Sequence, residues 1–195
     1  MALDASAIHS ALRARFGTAI GDLAGTGSDA SALVPADRIA DVCRFARDDA
    51  ALRFDCLSNL SGVDYPKRSV IQVVYHLFSY PHRHHLVLKV DAVRDDPVVQ
   101  TVSDVWSTAD WLEREVFDLL GVRFTGHPDL RRILMPEDWP GHPLRKDFVE
   151  PEEYHGISTR RESLRTPARR HSSHGRHHSI ARLAGNTWCR RSIES

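Results

Sequence analysis

The sequence predicts an α+β fold: a largely antiparallel sheet of three to four strands with helices on one face, followed by an extended C-terminal arm. Three observations carry this. Strand-like alternation is concentrated between residues 52 and 93, helical periodicity brackets it on both sides, and a proline-rich stretch follows Gly121 that is too apolar for a solvated linker.

The elements follow in chain order. Residues 4–16 place Ile8, Leu12 and Phe16 on one helical stripe beside Arg13 and Arg15, with Gly17 as a stop. The turn-rich segment 21–29 leads into a short strand at 30–34. A second helix follows, with Pro35 in its first turn and Ile39, Val42, Cys43 and Ala46 sharing a face. Strands are predicted at 52–60, 70–78 and 85–93. In the first, Leu52, Phe54 and Cys56 alternate with Arg53 and Asp55; in the third, Leu86, Leu88 and Val90 alternate with Lys89 and Asp91. The second, VIQVVYHLF, is apolar on both faces apart from Gln72 and His76, as a central strand covered on two sides would be. SGVDYPKRS and SYPHRH supply the hairpin turns, and the His82–His85 cluster reads as a solvated part of the second. Asp95 or Asp96 can cap a third helix through Val98, Val99, Val102 and Val105.

A further short helix precedes Gly121. Asp110 is placed to cap it, Glu113 to complete a capping box and Gly121 to end it after about three turns. Projection at roughly 100° per residue gathers Leu112, Val116, Leu119 and Leu120 on one arc and sets Arg114, Glu115 and Asp118 opposite. Trp111 falls among the charges, where a purely solvated face has little use for it; a second packing surface is expected there.

Beyond Gly121, Pro128, Pro136, Pro140 and Pro143 with Gly126 and Gly141 exclude a long helix and any central strand. Val122, Phe124, Leu130, Ile133, Leu134, Met135, Trp139, Leu144 and Phe148 nonetheless need cover, and Arg131, Arg132, Arg145 and Lys146 lie among them. The sequence therefore predicts an arm whose apolar side chains and backbone donors are satisfied by another polypeptide, with arginines forking onto carboxylates there.

The formal net charge of zero conceals two halves. Residues 1–159 carry 17 Lys/Arg against 24 Asp/Glu, whereas 160–195 carry 9 Arg against 2 Glu. An acidic body argues against nucleic-acid binding by the folded part, and disorder is the default for the Arg-, His- and Ser-rich tail. Its His171, His174, His177 and His178 are of a kind that captures metal, and its arginines of a kind that touches RNA or anionic lipid. Cys43, Cys56 and Cys189 are scattered, with no C-x-x-C, so neither a disulfide framework nor an iron–sulfur or zinc site is indicated. No apolar run approaches the roughly 20 residues needed to span a bilayer, and MALDASAIHSALRARF lacks the pattern of a secretory signal; a cytoplasmic chain is expected. Phosphate loops, dinucleotide fingerprints and nucleophile elbows are missing. His127 with Asp129, His142 with Asp147, and Glu115 with Asp118 could be assembled into a metal or acid–base site, but both histidines precede prolines and no pair has the i, i+4 spacing of a preorganised metal face.

The pattern Glu113-Arg114-Glu115, Asp118-Leu119-Leu120, then His127, Arg131, Ile133 and Leu134, with the continuation GHPDLRRILMPEDWPGHPLRKDF, resembles the thirty-kilodalton subunit of respiratory complex I, which in bacteria is the C subunit of NADH-quinone oxidoreductase. The likeness covers roughly residues 5–158. It implies an α+β domain over 1–121, a partner-binding arm over 122–158 and a tail, 159–195, outside the family pattern. It implies further a non-redox structural subunit in the peripheral arm of a proton-translocating complex that passes electrons from NADH through FMN and Fe–S clusters to quinone. Those cofactors would lie in other subunits, and this chain would hold no catalytic, cofactor-binding or metal-binding residue. The implied partners are the D subunit above all, with the B subunit and other peripheral-arm subunits, on the cytoplasmic side of the bacterial inner membrane or the matrix side in mitochondria. Membrane contact would come through the complex. Glu113, Arg114, Glu115, Asp118, His127, Arg131, Arg132, Trp139, His142 and Arg145 would be interface or scaffold residues. A homologous subunit of a membrane-bound hydrogenase is the related alternative, and a stand-alone metal-dependent hydrolase using His127, Asp129 and His142 the remote one.

Overall fold

The computed structural model describes residues 2–159; the basic tail with its histidine and arginine clusters lies outside the described residues. Helix α1, Ala5–Phe16, opens on Asp4, whose carboxylate accepts the Ala7 N–H at 2.7 Å, and closes on Gly17 at a left-handed φ of 61°. Strand β1, Ser31–Leu33, leads to helix α2, Ile39–Asp48, which buries Ile39, Val42, Cys43 and Ala46 as its periodicity predicts. Pro35 stays outside that helix: its carbonyl accepts the Arg38 N–H at 3.0 Å in a separate turn.

Strands β2 (Cys56–Tyr65), β3 (Val70–Ser79) and β4 (His84–Val93) form an antiparallel meander, and β1 adds to β4 in parallel, giving the order β1-β4-β3-β2. The sheet is thus mixed, not purely antiparallel. The reason is α2, which carries the chain back to the starting end, so that β1 and β2 run the same way at opposite edges.

The first predicted strand is misplaced. Leu52 and Phe54 are buried, but they belong to an irregular turn with Arg53 at φ 40°, pinned by the Asp49 carboxylate and by the Trp106 indole N–H on the Phe54 carbonyl. The strand itself runs on through SGVDY, and only Pro66–Arg68 turns. β3 holds the interior position expected of it, yet one face alone is sealed: Ile71, Val73, Tyr75 and Leu77 are buried, while on the other His76 is exposed and Val70, Val74 and Phe78 are half-covered. Of the histidine cluster expected to be solvated, His84 is instead buried as the first residue of β4. Its Nε2 bonds the Leu52 carbonyl at 2.6 Å, its Nδ1 accepts the Leu3 N–H, and burial lowers its pKa.

No helix forms through Val98–Val105. Strand β5, Val98–Gln100, pairs in parallel with β6, Arg123–Thr125, and Val99, Val102 and Val105 enter the core from strand and turn; a run of β-branched residues mimics helical spacing while favouring extended backbone. Helix α3, Thr108–Leu120, then packs on β2 across Gly62. A Cβ there would stand 2.3 Å from Leu120 Cδ1 and 3.2 Å from Val116 Cγ1. Gly62→Ala is therefore expected to cost roughly 1–3 kcal/mol in urea unfolding by forcing α3 off the sheet; an unchanged midpoint would show that α3 can yield. A small hairpin, β7 (Glu153–Tyr154) and β8 (Ile157–Ser158), ends the described chain. Among the described residues, no helix is long and apolar enough to cross a membrane.

Candidate functional site: helix α3 and the arm it carries

The charged arc of α3 is the seat of the arm. Arg114 and Asp118 are buried along with Glu113, and only Trp111 and Glu115 of the segment 111–120 are exposed. The predicted capping box does not form. Ser107 precedes the helix without a side-chain cap, Asp110 sits inside the first turn, and Glu113 turns inward, where its carboxyl takes the Val102 N–H at 2.7 Å and meets the Thr101 hydroxyl at 2.5 Å.

Asp118 organises the arm. Its Oδ2 accepts three successive backbone N–H groups, from Ile133, Leu134 and Met135, at 3.1, 2.7 and 2.8 Å, while Oδ1 lies 3.4 Å from Arg132 Nη1. One carboxylate thereby converts an irregular strand of chain into a fixed loop. The C-terminus of α3 adds a second set of anchors. A helix end leaves carbonyls without intrahelical partners; here Gly121 N–H takes that of Phe117, His142 Nδ1 that of Asp118 (2.9 Å), Leu144 N–H that of Leu119 (3.0 Å) and Arg145 Nε that of Leu120 (2.7 Å). Placing His142 and Arg145 there also sets basic groups at the negative end of the helix dipole.

Two further fastenings flank these. At the root of the arm, His127 Nε2 bonds the Asp110 carbonyl and its Nδ1 accepts the Asp129 N–H, both at 3.1 Å, while Arg114 Nε reaches the Arg131 carbonyl. Farther along, Arg94 forks onto buried Asp64 at 2.7 and 2.9 Å and onto Asp147 at 3.1 and 2.7 Å, and Asp64 also accepts the Lys146 N–H. The Arg94 guanidinium holds both carboxyls below the usual carboxylate range. Asp138 ties in the terminal hairpin through Tyr154 Oη (2.6 Å) and His155 Nε2 (2.7 Å), with Trp139 against the Tyr154 ring.

These bonds correct the expectation that another polypeptide satisfies the arm's backbone donors and arginines. The acceptors include the Asp118 and Asp64 carboxylates and helix-end carbonyls, all of the chain itself. Val122 and Phe124, counted with the arm, lie in the core through β6; the irregular segment begins at Gly126. Among its exposed side chains the arm leaves several large apolar ones uncovered: Leu134 is 59% exposed, Leu144 54%, Val149 84% and Ile157 71%. On α3, Trp111 is 62% exposed, with the Arg114 guanidinium 4.9 Å from its ring. Of the residues singled out in the sequence, Glu115 remains exposed, and Arg131 pairs with Asp129 at 2.8 Å. Arg132 also donates to the Gly141 carbonyl. His127 meets only the backbone of Asp129, whose carboxylate pairs with Arg131, and His142 bonds the Asp118 carbonyl; among the described residues no three His, Cys, Asp or Glu side chains could hold a metal. Asp64 and Arg94 escaped the sequence reading, since a lone Asp near a strand end and an Arg beyond the next carry no local sign that they meet.

Residues 32–154 match the family described as respiratory-chain NADH dehydrogenase, 30 Kd subunit. The chain belongs to this family. The C subunit of NADH-quinone oxidoreductase from Roseiflexus sp. (strain RS-1) is 50% identical over 142 residues, 72% of this chain and 82% of the relative. A C subunit of the same oxidoreductase from Rhizobium etli (strain CIAT 652), the one numbered 2, is 45% identical over 144 residues, 72% of this chain and 75% of its own. Among solved structures, Nqo5, described as its trypsin-resistant fragment 1–134, superposes with TM-score 0.54 at 32% identity, covering 64% of this chain and 98% of that fragment. A chain of a membrane-bound sulfane sulfur reductase, described as an archaeal respiratory membrane complex, gives TM-score 0.63 at 28% identity over 74% and 85%. In this member of the family, the motif residues Arg114, Asp118 and His127 fasten an arm to its helix, while Glu113 ties that helix to the turn after β5.

Proposed function

We propose that this chain serves as the C subunit in the peripheral arm of a proton-translocating NADH:quinone oxidoreductase, contributing assembly and no redox group, and that the ridge of α3 and the arm seats the D subunit. FMN, Fe–S clusters and quinone then belong to other subunits, with the B subunit and further peripheral-arm subunits nearby, and the chain is held to the cytoplasmic face of the inner membrane through the complex. The family match and the relatives described as C subunits support the complex. The observation that carries the interface is the division of labour in the arm. Its root, the loop 133–135, His142 and Arg145 are bonded to its own chain, whereas Leu134, Leu144, Val149 and Ile157 of the arm and Trp111 of α3 are exposed, as a preorganised hydrophobic interface core requires.

The test is a double variant, Leu134→Asp with Leu144→Asp, in a tagged chain expressed with the other subunits. Both side chains are exposed, so the melting temperature should hold within a few degrees while recovery of the D subunit falls at least about tenfold. Undiminished recovery would refute the interface. The sulfane sulfur reductase likeness favours a second reading, the equivalent place in a related hydrogenase-type membrane complex; copurification of subunits other than an NADH- and flavin-binding module would select it.

A further inference from the structure

Trp111 is the exposed tryptophan of the described residues. Trp106 is buried with its indole N–H on the Phe54 carbonyl, and Trp139 is half-covered against Tyr154, whereas Trp111 is 62% exposed. It stands in the first turn of α3, and Arg114, three residues on, is its neighbour on the helix surface. The Arg114 guanidinium lies 4.9 Å from the indole centroid, within the range of cation–π attraction across one face of the ring. Among the described residues the Trp111 indole N–H has no acceptor.

Arg114 is not free to follow the ring. Its side chain is 6% exposed, its Nε donates to the Arg131 carbonyl at 3.3 Å, and its Nη1 lies 3.8 Å from Asp129 Oδ2. Asp129 is held in turn by Arg131 Nε at 2.8 Å and, through its N–H, by His127 Nδ1. The root of the arm therefore fixes the guanidinium, and the guanidinium fixes the plane of the indole. A tryptophan on a helix surface ordinarily loses rotamer freedom when it binds; here much of that freedom is already lost in the free chain. Burial does not explain the arrangement, since most of the ring stays in water. What it provides is a large flat apolar face with one edge donor, presented in a set orientation.

We propose that Trp111 is the anchor of the ridge and Arg114 its positioning residue, and that the partner offers an apolar slot for the free face of the indole, with a carbonyl or carboxylate oxygen at the indole N–H. The proposal rests on the reading that the ridge of α3 and the arm seats the D subunit. The chemistry of the slot follows from the ring. Its area calls for apolar walls, and its N–H, solvated in the free chain, needs an acceptor once water is excluded. Trp and Arg are the side chains that most often dominate an interface in this way. Because Arg114 is bonded to the carbonyl of Arg131, detaching the root of the arm would also free the anchor.

Competitive incorporation tests this. Differently tagged wild-type and variant full chains are expressed together with the other subunits, and the ratio captured with the D subunit is divided by their ratio in the lysate. Trp111→Ala should be under-represented at least about thirtyfold. Trp111→Phe, which keeps a ring and loses the donor, should be under-represented about fivefold. Each of these chains should melt within a few degrees of the wild type. Arg114→Lys keeps the charge but loses the planar face and the Nε bond. It should cost about fivefold beside Trp111 and less than twofold in the Trp111→Ala background, whereas a role confined to holding the arm would cost the same in both. Parity of Trp111→Ala would overturn the anchor, including the case in which the ring only shelters Arg114 and its loss lowers the melting temperature alone. Parity of Trp111→Phe would overturn the acceptor in the slot, and equal costs of Arg114→Lys in the two backgrounds would overturn the positioning role. The ridge itself fails separately: loss of the D subunit with Leu134→Asp and Leu144→Asp beside parity of Trp111→Ala removes the anchor alone, and undiminished recovery in that double variant removes both.

Discussion

Replacing Asp118 by alanine is expected to lower the stability of the chain by about 3–5 kcal/mol, the range for breaking a buried charged contact while its partners stay behind. The side chain is fully buried, and its loss strands the Arg132 guanidinium and three consecutive amides aimed at Oδ2. Each unpaired buried N–H costs roughly 1–3 kcal/mol, so the fixed loop 133–135 is no longer worth forming and is expected to move toward water. Denaturant unfolding measures the loss, and exchange at the 133–135 amides locates it. Asp118→Asn keeps an acceptor oxygen in place and should recover about half. A loss under about 1 kcal/mol for the alanine variant would mean that the arm is held by the helix-end carbonyls alone.

That role bears on what the residues disclose before folding. α1 was legible because its stripe and stop are both local, and the α2 face and the alternation of β4 were legible for the same reason. β2 was displaced because Leu52 and Phe54 are buried from a turn, and burial in alternate positions looks the same whether strand or turn delivers it. Charge patterning failed more instructively. Arg114, Glu115 and Asp118 share the arc opposite the leucines, which on an isolated helix means solvent; here that arc receives the arm, and only Glu115 stays wet. The sequence likewise marked Trp111 as out of place, and it is exposed on an immobilised Arg114. Motif residues were thus identifiable as a group, while their bonding partners, Asp64, Arg94, Thr101 and the carbonyls of residues 118–120, depend on contacts distant in sequence.

Gly121 shows how tightly helix and arm are joined. It ends α3 at φ 79°, a conformation that costs an L-residue roughly 1–2 kcal/mol. A Cβ would add a collision, standing 2.6 Å from His142 Nε2 and 2.7 Å from His142 Cδ2, with Arg145 Nη2 at 3.0 Å. Neither side chain is a loose end that can swing clear at little cost, because the His142 ring is fixed through Nδ1 to the Asp118 carbonyl and Arg145 through Nε to that of Leu120. Relief of the clash therefore uncaps the helix and detaches the arm together. Gly121→Ala should cost about 2–4 kcal/mol, adding the backbone strain to the loss of one or two hydrogen bonds. Because both changes detach the same segment, Gly121→Ala combined with Asp118→Ala should cost less than the sum of the two, a coupling that a double-mutant cycle measures directly. Strict additivity would show that the helix end and the Asp118 loop hold the arm independently.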